Sequence, residues 1–180
     1  MFNLDLRKHS KLFTAYTELK MQENRNVQIS FVKGNNTVNA RSATGGVSAR
    51  VYSSGSWGFA SNPEINDEAI QSVVKTATNN ALFLDSRELK GKGPLPMSPA
   101  TSHNDFSTDK PRNGQKALVE FVKELDDHLV TKYPKLASRT LSLNCLDMEK
   151  TLLTSDGSYS YSLIPRSFIY VGLSMIKDGQ

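Results

Sequence analysis

The sequence predicts an α+β protein: an antiparallel β-sheet, a meander of hairpins, packed by an amphipathic helix, then a linker, a second helix and a further antiparallel β segment. Three observations carry this. Apolar and polar residues alternate between Glu18 and Ala60, broken by Gly-, Asn- and Ser-rich turns. A stripe with helical period follows from Asn66 to Leu84, and a Pro- and Gly-rich stretch then separates it from a second succession of helix and strands.

The first dozen residues give a weak short helix, with Leu12 and Tyr16 one turn apart. Leu19 and Met21, then Val27, Ile29 and Phe31, predict two strands with one buried face. Gly34-Asn35-Asn36 supplies a tight turn, and Thr37 to Ala43 reads as a third strand that Gly45-Gly46 breaks. Val47, Ala49 and Val51 start a fourth, whose other face carries Ser48, Arg50 and Tyr52, and Ser53 to Ser56 turn into a short strand from Trp57 to Ala60. Asn66 caps a helix with Asp67 and Glu68 in its first turn, and Ile70, Val73, Val74, Ala77, Ala81 and Leu84 form its apolar stripe.

Residues 85–111 hold four prolines and two glycines without a sustained period and read as a linker or long surface loop. The second helix follows Pro111, with Leu118, Phe121, Val122, Leu125 and Leu129 on one stripe, and Tyr133-Pro134 stops it. Leu141, Leu143 and Cys145 alternate again; Asp156-Gly157 makes a hairpin, with Tyr159, Tyr161 and Leu163 on the return strand. Pro165 is expected to end that strand, and Phe168 to Ile176 forms one more. The organisation predicted is an N-terminal α+β domain over 1–84, the linker over 85–111, and the start of a middle domain over 112–180. Because Lys177 to Gln180 is a turn signal without a following strand, the chain is expected to be the front part of a longer protein.

Composition excludes several classes of function. No run approaches the ~20 apolar residues of a membrane helix, and the N-terminus has no apolar signal core, so the default location is cytoplasmic, with no membrane partner. The formal charge of +4 is local: residues 1–60 carry eight Lys and Arg against three Asp and Glu, whereas the remaining two thirds carry seven against eight and seven against seven. The basic residues are scattered singly, which argues against a nucleic-acid surface. Cys145 is the one cysteine, and it sits in an apolar alternation as a small hydrophobe. His9, His103 and His128 have no neighbour at metal-ligand spacing, and His103 reads as a solvated loop residue. Asp126 and Asp127 fall on the polar, solvated side of the second helix, and neither a phosphate loop nor a G-x-S-x-G elbow occurs. No catalytic residue and no metal ligand is therefore assigned within the chain.

The elements Glu18-Leu19-Lys20, Gly34, Gly46-Val47 with Arg50-Val51, Gly55, Trp57 to Ser61 and Asp67-Glu68-Ala69 come in an order and spacing that resembles the N-terminal domain of the TldD/PmbA family, also called modulators of DNA gyrase. Thr154-Ser155-Asp156-Gly157 is similar to a turn in the family's middle region. The resemblance implies proteolysis of unfolded peptides. Its TldD-type members are zinc metallopeptidases with a later His-Glu-x-x-x-His helix and a further cysteine ligand, and its PmbA-type members are metal-free partners. Zinc is then expected only if the parent chain carries that motif, and this chain alone is expected to be inactive and to help form the substrate chamber, with a peptide substrate and a homo- or heterodimer partner of the same family. The alternatives are a protein- or DNA-binding module without enzymatic activity and a structural domain that dimerises through an unpaired edge strand.

The residues singled out by the family pattern are Gly46, Arg50, Trp57, Gly58, Phe59, Ser155, Asp156 and Gly157, all expected to act mainly on the fold. Trp57 and Phe59 are expected to cover the stripe of the first helix. Arg50, on the face opposite Val47, Ala49 and Val51, is the candidate for a partner or substrate contact.

Overall fold

A computed structural model describes residues 3–87 and 92–176. The turn expected at Lys177 to Gln180 and Gly91 of the expected linker lie outside the described residues. After a 3-10 helix at Leu6–Leu12 come strands β1 (Tyr16–Val32), β2 (Asn35–Ser53) and β3 (Ser56–Asn62), helix α1 (Asp67–Asp85), β4 (Thr101–Asp105), helix α2 (Gln115–Lys132), β5 (Leu136–Thr154) and β6 (Tyr159–Met175). The strands form one sheet in the order β3-β2-β1-β5-β6-β4. Pairing of β2 with β3 is antiparallel, and that of β4 with β6 is parallel, with Thr101 opposite Tyr159 and Asp105 opposite Leu163. The α+β class holds, with β4 as a parallel addition taken from within the expected linker.

The sheet's long strands correct the sequence reading at three places. One strand, β1, replaces the two expected between Glu18 and Val32; Leu19, Met21, Ile29 and Phe31 are all buried and all odd-numbered, so a single pleat carries them past the polar run Gln22–Asn26. Gly45-Gly46 does not break β2. A Cβ on Gly45 would stand 2.4 Å from the Gln22 carbonyl oxygen and one on Gly46 would stand 2.3 Å from that of Asn62, so the glycines permit close strand approach rather than a turn. Pro165 likewise lies inside β6 instead of ending it. The described residues divide into two compact units, 3–24, 44–87, 92–106 and 148–164 in the first and 25–43, 107–147 and 165–176 in the second.

In the first unit, Leu19, Met21, Val47, Ala49, Val51 and Leu153 meet Ala69, Ile70, Val73, Val74, Ala77 and Ala81 of α1. Asn66 caps α1 by accepting the Ala69 amide at 2.7 Å. The 3-10 helix is tied to the start of α1 by Asp67, which accepts from Lys8 Nζ at 3.0 Å and bonds His9 Nε2 at 2.8 Å. The Lys8 and His9 bonds hold the Asp67 carboxyl below its ordinary range. His9 is thus a buried structural residue. Tyr16 begins β1 and does not extend the helical turn from Leu12.

The packing of β3 on α1 differs from expectation. Ser56 and Gly58 are buried, whereas Trp57 is 37% and Phe59 56% exposed. A Cβ on Gly58 would lie 2.0 Å from the Ala77 carbonyl oxygen and 2.4 Å from the Ala81 nitrogen. The glycine faces the helix because only its bare Cα fits there, and the pleat then sends Trp57 and Phe59 to the opposite face. Leu84 is exposed as well: the 19 residues of α1 run about 28 Å at 1.5 Å each, while the seven of β3 run about 23 Å, so the helix outlasts its strand. At the sheet edge, Asn80 Nδ2 donates to the Phe59 carbonyl at 2.9 Å, which occupies part of the rim that strand addition would use.

In the second unit, Ile29, Phe31, Leu141 and Leu143 pack on Val122, with Leu118, Leu125, Leu129 and Cys145 around them. The α2 stripe is rotated from the expected one: Phe121 is exposed, and Asp126, assigned to the solvated side, is 1% exposed. Its carboxylate accepts two bonds from Arg139, from Nε at 2.7 Å and Nη2 at 2.8 Å, and Asp126 in turn holds the Arg139 guanidinium above its ordinary pKa. Bidentate pairing makes the buried carboxylate tolerable. Gly34, at φ 85°, forms the β1–β2 turn directly over this pair.

The β5–β6 hairpin turns through Asp156 and Gly157, the latter at φ 95°. Asp156 accepts from Thr154 Oγ1, from the Ser158 amide at 3.0 Å and from the Ser98 amide at 3.4 Å. These donors, Thr154 first, lower its pKa to about 2.

Three measurements check these contacts. Gly58→Ala is expected to lower the unfolding free energy in urea by about 3 kcal/mol, as overpacking against a helix backbone does, while Gly93→Ala, where an added Cβ meets nothing within 4 Å, changes it by less than about 0.5 kcal/mol. Asp126→Ala is expected to cost about 3 kcal/mol by stranding Arg139, and the double variant Asp126→Leu with Arg139→Met to recover most of it. Because the Asp156 pKa is depressed, its stabilisation is complete above about pH 4 and is lost as pH falls through about 2. A carboxyl NMR titration should place its midpoint near 2, and Asp156→Asn should flatten the acid limb of the stability curve over that window.

Candidate functional site

In the first unit, α1 covers one face of the β1–β3 part of the sheet, and the other face is open. Strand parity decides what stands on it. Tyr16, Glu18 and Lys20 of β1 alternate with the buried Thr17, Leu19 and Met21, and Ser48, Arg50 and Tyr52 of β2 alternate with Val47, Ala49 and Val51. Register sets Tyr52 opposite Trp57 and Arg50 opposite Phe59.

These side chains interlock. The Trp57 ring meets Tyr16 edge-on at 6.0 Å between centroids and Tyr52 at 5.2 Å with a 57° tilt. The Arg50 guanidinium lies 4.3 Å from the Trp57 ring centroid and donates through Nη2 to Glu18 Oε1 at 3.0 Å. Half of the Arg50 side chain, 52%, remains exposed. Burial, followed by the charges of Glu18 and Asp156, raises the Tyr16 pKa, so its hydroxyl keeps its proton at neutral pH.

Beside this array lies a groove of about 490 Å³. Tyr16 and Tyr52 line it together with Gly93, Pro94, Leu95 and Met97 of the segment after α1. That segment is held by the bond from Tyr52 Oη to the Gly93 carbonyl, 3.0 Å, and by the Lys92 amide donating to Ser54 O at 2.6 Å. Ser155 and Asp156 also line it; Ser155 Oγ accepts the Thr17 amide at 3.0 Å, and the Ser155 amide donates to Thr17 O at 2.9 Å. Further along the open face, a second hollow of about 420 Å³ lies between Lys20, Ser48, Phe59 and Asn62, with Gly45 and Gly46 in its lining.

The residues singled out in the sequence thus separate into two groups. Ser155 and Asp156 line the groove, Trp57 stands beside it against Tyr16 and Tyr52 with Arg50 over its ring, and Phe59 stands on the same open face. Gly46 and Gly58 serve close backbone contacts, and Gly157 the hairpin turn. Tyr16, Glu18 and Tyr52 were missed as site residues, although the alternation that puts Arg50 on this face puts them there too. Their meeting depends on which strands are neighbours, and alternation does not encode that. His103 is no loop residue: it lies on β4 and stacks on Tyr161, 4.7 Å apart and 17° from parallel. Among the described residues no three His, Cys, Asp or Glu side chains converge as a metal-ligand set, so no donor set for zinc is found in them. No described helix is long and apolar enough to cross a membrane.

The comparison with known proteins agrees with the motif reading. Residues 17–81 match the family model of PmbA/TldA metallopeptidase domain 1. No curated protein matches the chain. Among solved structures, one described as a modulator of DNA gyrase from Bacteroides thetaiotaomicron VPI-5482 superposes with a TM-score of 0.71 at 14% identity, over 99% of this chain and 43% of that one. TldE from Thermococcus kodakarensis gives 0.62 at 13% identity over 97% and 39%. A further structure described as a modulator of a DNA gyrase, from Thermotoga maritima MSB8, gives 0.64 at 14% over 94% and 42%. At these identities the likeness is one of fold, and the chain spans roughly two fifths of the length of the structures it matches. Over residues 17–81 the chain is thus similar to the first, N-terminal domain of the PmbA/TldD family.

Proposed function

We propose that this chain is the noncatalytic N-terminal part of a PmbA/TldD-type metallopeptidase, or of its metal-free partner subunit, that it works in the cytoplasm on unfolded peptides, and that the open face of its first unit walls the substrate chamber. The supporting observation is the Arg50–Trp57–Tyr52 array beside a 490 Å³ groove. Aromatic rings, a half-exposed guanidinium and hydroxyl groups on one uncovered sheet face suit an extended polypeptide, whose side chains and backbone offer both apolar and hydrogen-bonding contacts. With Asn80 bonded to the rim of β3, the reading favours side-chain docking on the face over strand addition at that edge. The catalytic chemistry, a metal-bound water with a carboxylate base, belongs in this reading to a His-Glu-x-x-x-His segment of the same parent or of a partner of the same family.

Trp57 is the protein's single tryptophan and reports directly on this face. Titration with an unfolded peptide, such as a tryptophan-free fragment of reduced casein, is expected to change Trp57 emission saturably. Arg50→Ala should weaken that binding by roughly fivefold, the scale of a partly exposed cation–π contact, while its cost to folding stays within about 1 kcal/mol and the protein stays folded. The 180-residue protein incubated with zinc and the peptide should release no new amino ends. Peptide cleavage by this chain, or an unresponsive Trp57, would contradict the proposal.

A further inference from the structure

The groove's lining is chemically mixed, and that mixture selects a ligand. It combines Tyr16, Tyr52, Leu95 and Met97 with Asp156, whose charge bears on Tyr16 and whose carboxylate accepts the Ser98 amide next to Met97. Asp156 is fixed by the Thr154 hydroxyl and by the Ser158 and Ser98 amides, all neutral donors, and no Lys or Arg among the described residues forms an ion pair with it. A carboxylate held beside aromatic and apolar side chains is the complement of a side chain that is apolar along its stem and cationic at its tip.

We infer that the groove takes a lysine or arginine side chain of an extended peptide, the stem lying between Tyr52 and Met97 and the cationic tip against Asp156. The inference rests on the peptide-wall reading above and deepens it by naming the residue class admitted. The same chemistry occurs within the chain next to the groove, where Arg50 lies over Trp57 and donates to Glu18. A second instance is Arg7, which lies 5.0 Å from the Tyr159 ring centroid and is paired with Asp5 at 2.9 Å. Phosphorylated or acidic side chains are disfavoured by the Asp156 carboxylate. The one cation in the lining, Lys92, has its stem packed toward Gly55 and opposes the incoming charge without cancelling Asp156 by contact.

Two acetylated, amidated hexapeptides that differ only in lysine against norleucine at one central position test this, titrated into the full 180-residue protein with Trp57 emission and calorimetry as readouts. The lysine peptide is expected to bind roughly tenfold more tightly, and Asp156→Asn to abolish that preference. Asparagine keeps the acceptor for the Ser158 amide, and circular dichroism establishes that the hairpin stays folded. Lys92→Ala, which leaves that hairpin untouched, should strengthen lysine-peptide binding by roughly twofold; unchanged or weaker binding counts against the assignment. Equal binding of both peptides overturns the basic-side-chain assignment and leaves the peptide wall standing, whereas failure of both to bind removes the wall as well.

Discussion

The contact between Gly58 and the backbone of α1 is the constraint on which the first unit depends. Within that contact the helix comes so close that a methyl group would lie 2.0 Å from the Ala77 carbonyl oxygen. Two consequences follow from this one fit. It brings the Ala77 and Ala81 side of the helix onto the sheet, where small residues allow Ile70, Val73 and Val74 to reach the buried residues of β1 and β2. It also sets the parity of β3, because a strand that must turn its glycine inward has no choice about where its neighbours go. Trp57 and Phe59 are on the open face because Gly58 is on the closed one.

That parity explains a composition that otherwise looks wasteful. A lone tryptophan more than a third exposed loses much of the burial free energy it could contribute. Tyr16, Tyr52 and the Arg50 guanidinium recover part of it by covering edges and one face of the ring. Glu18 fixes the guanidinium in turn, so the cation serves the array and is only half available to solvent. The second unit solves its own core differently. It has fewer fully buried apolar side chains and places an ion pair, Asp126 with Arg139, beneath the Gly34 turn. A buried pair of this kind adds less stability than apolar packing would, but its two parallel bonds fix the register of the helix against its strand.

Much of this fold is legible in the residues. Asn66 with Asp67 and Glu68 marks the start of α1, the i, i+3, i+4 stripe marks its inner face, and Asp156-Gly157 marks the hairpin, since each is a local rule acting over a few bonds. Continuity of the long strands was also present, in the shared odd parity of Leu19, Met21, Ile29 and Phe31, but the polar run from Gln22 masks it. What could not be read is non-local. Nothing near Gly58 announces that it meets Ala77, nothing near Asp126 announces Arg139, and β4 has no apolar alternation of its own because all five of its residues are exposed. The site was half legible for the same reason: alternation exposes Arg50, and only pairing of β2 with β3 and the return of the hairpin at Asp156 place it beside a groove.

The groove's energetics suit weak, exchanging contacts more than tight binding. An ammonium or guanidinium entering it exchanges hydration for ring faces and one carboxylate, in a slot that stays open to solvent, so desolvation remains partial and the attraction is screened. Contacts of this kind are worth on the order of 1 kcal/mol each, enough to bias which segment of a flexible chain pauses there and too little to hold it. Weak contacts of this kind let a bound segment exchange rapidly, because differences in affinity are expressed mostly in the rate of release. Asp156 suits such exchange through its own hydrogen bonds: held ionised down to about pH 2 by neutral donors, it offers a constant charge, and no Lys or Arg among the described residues pairs with it.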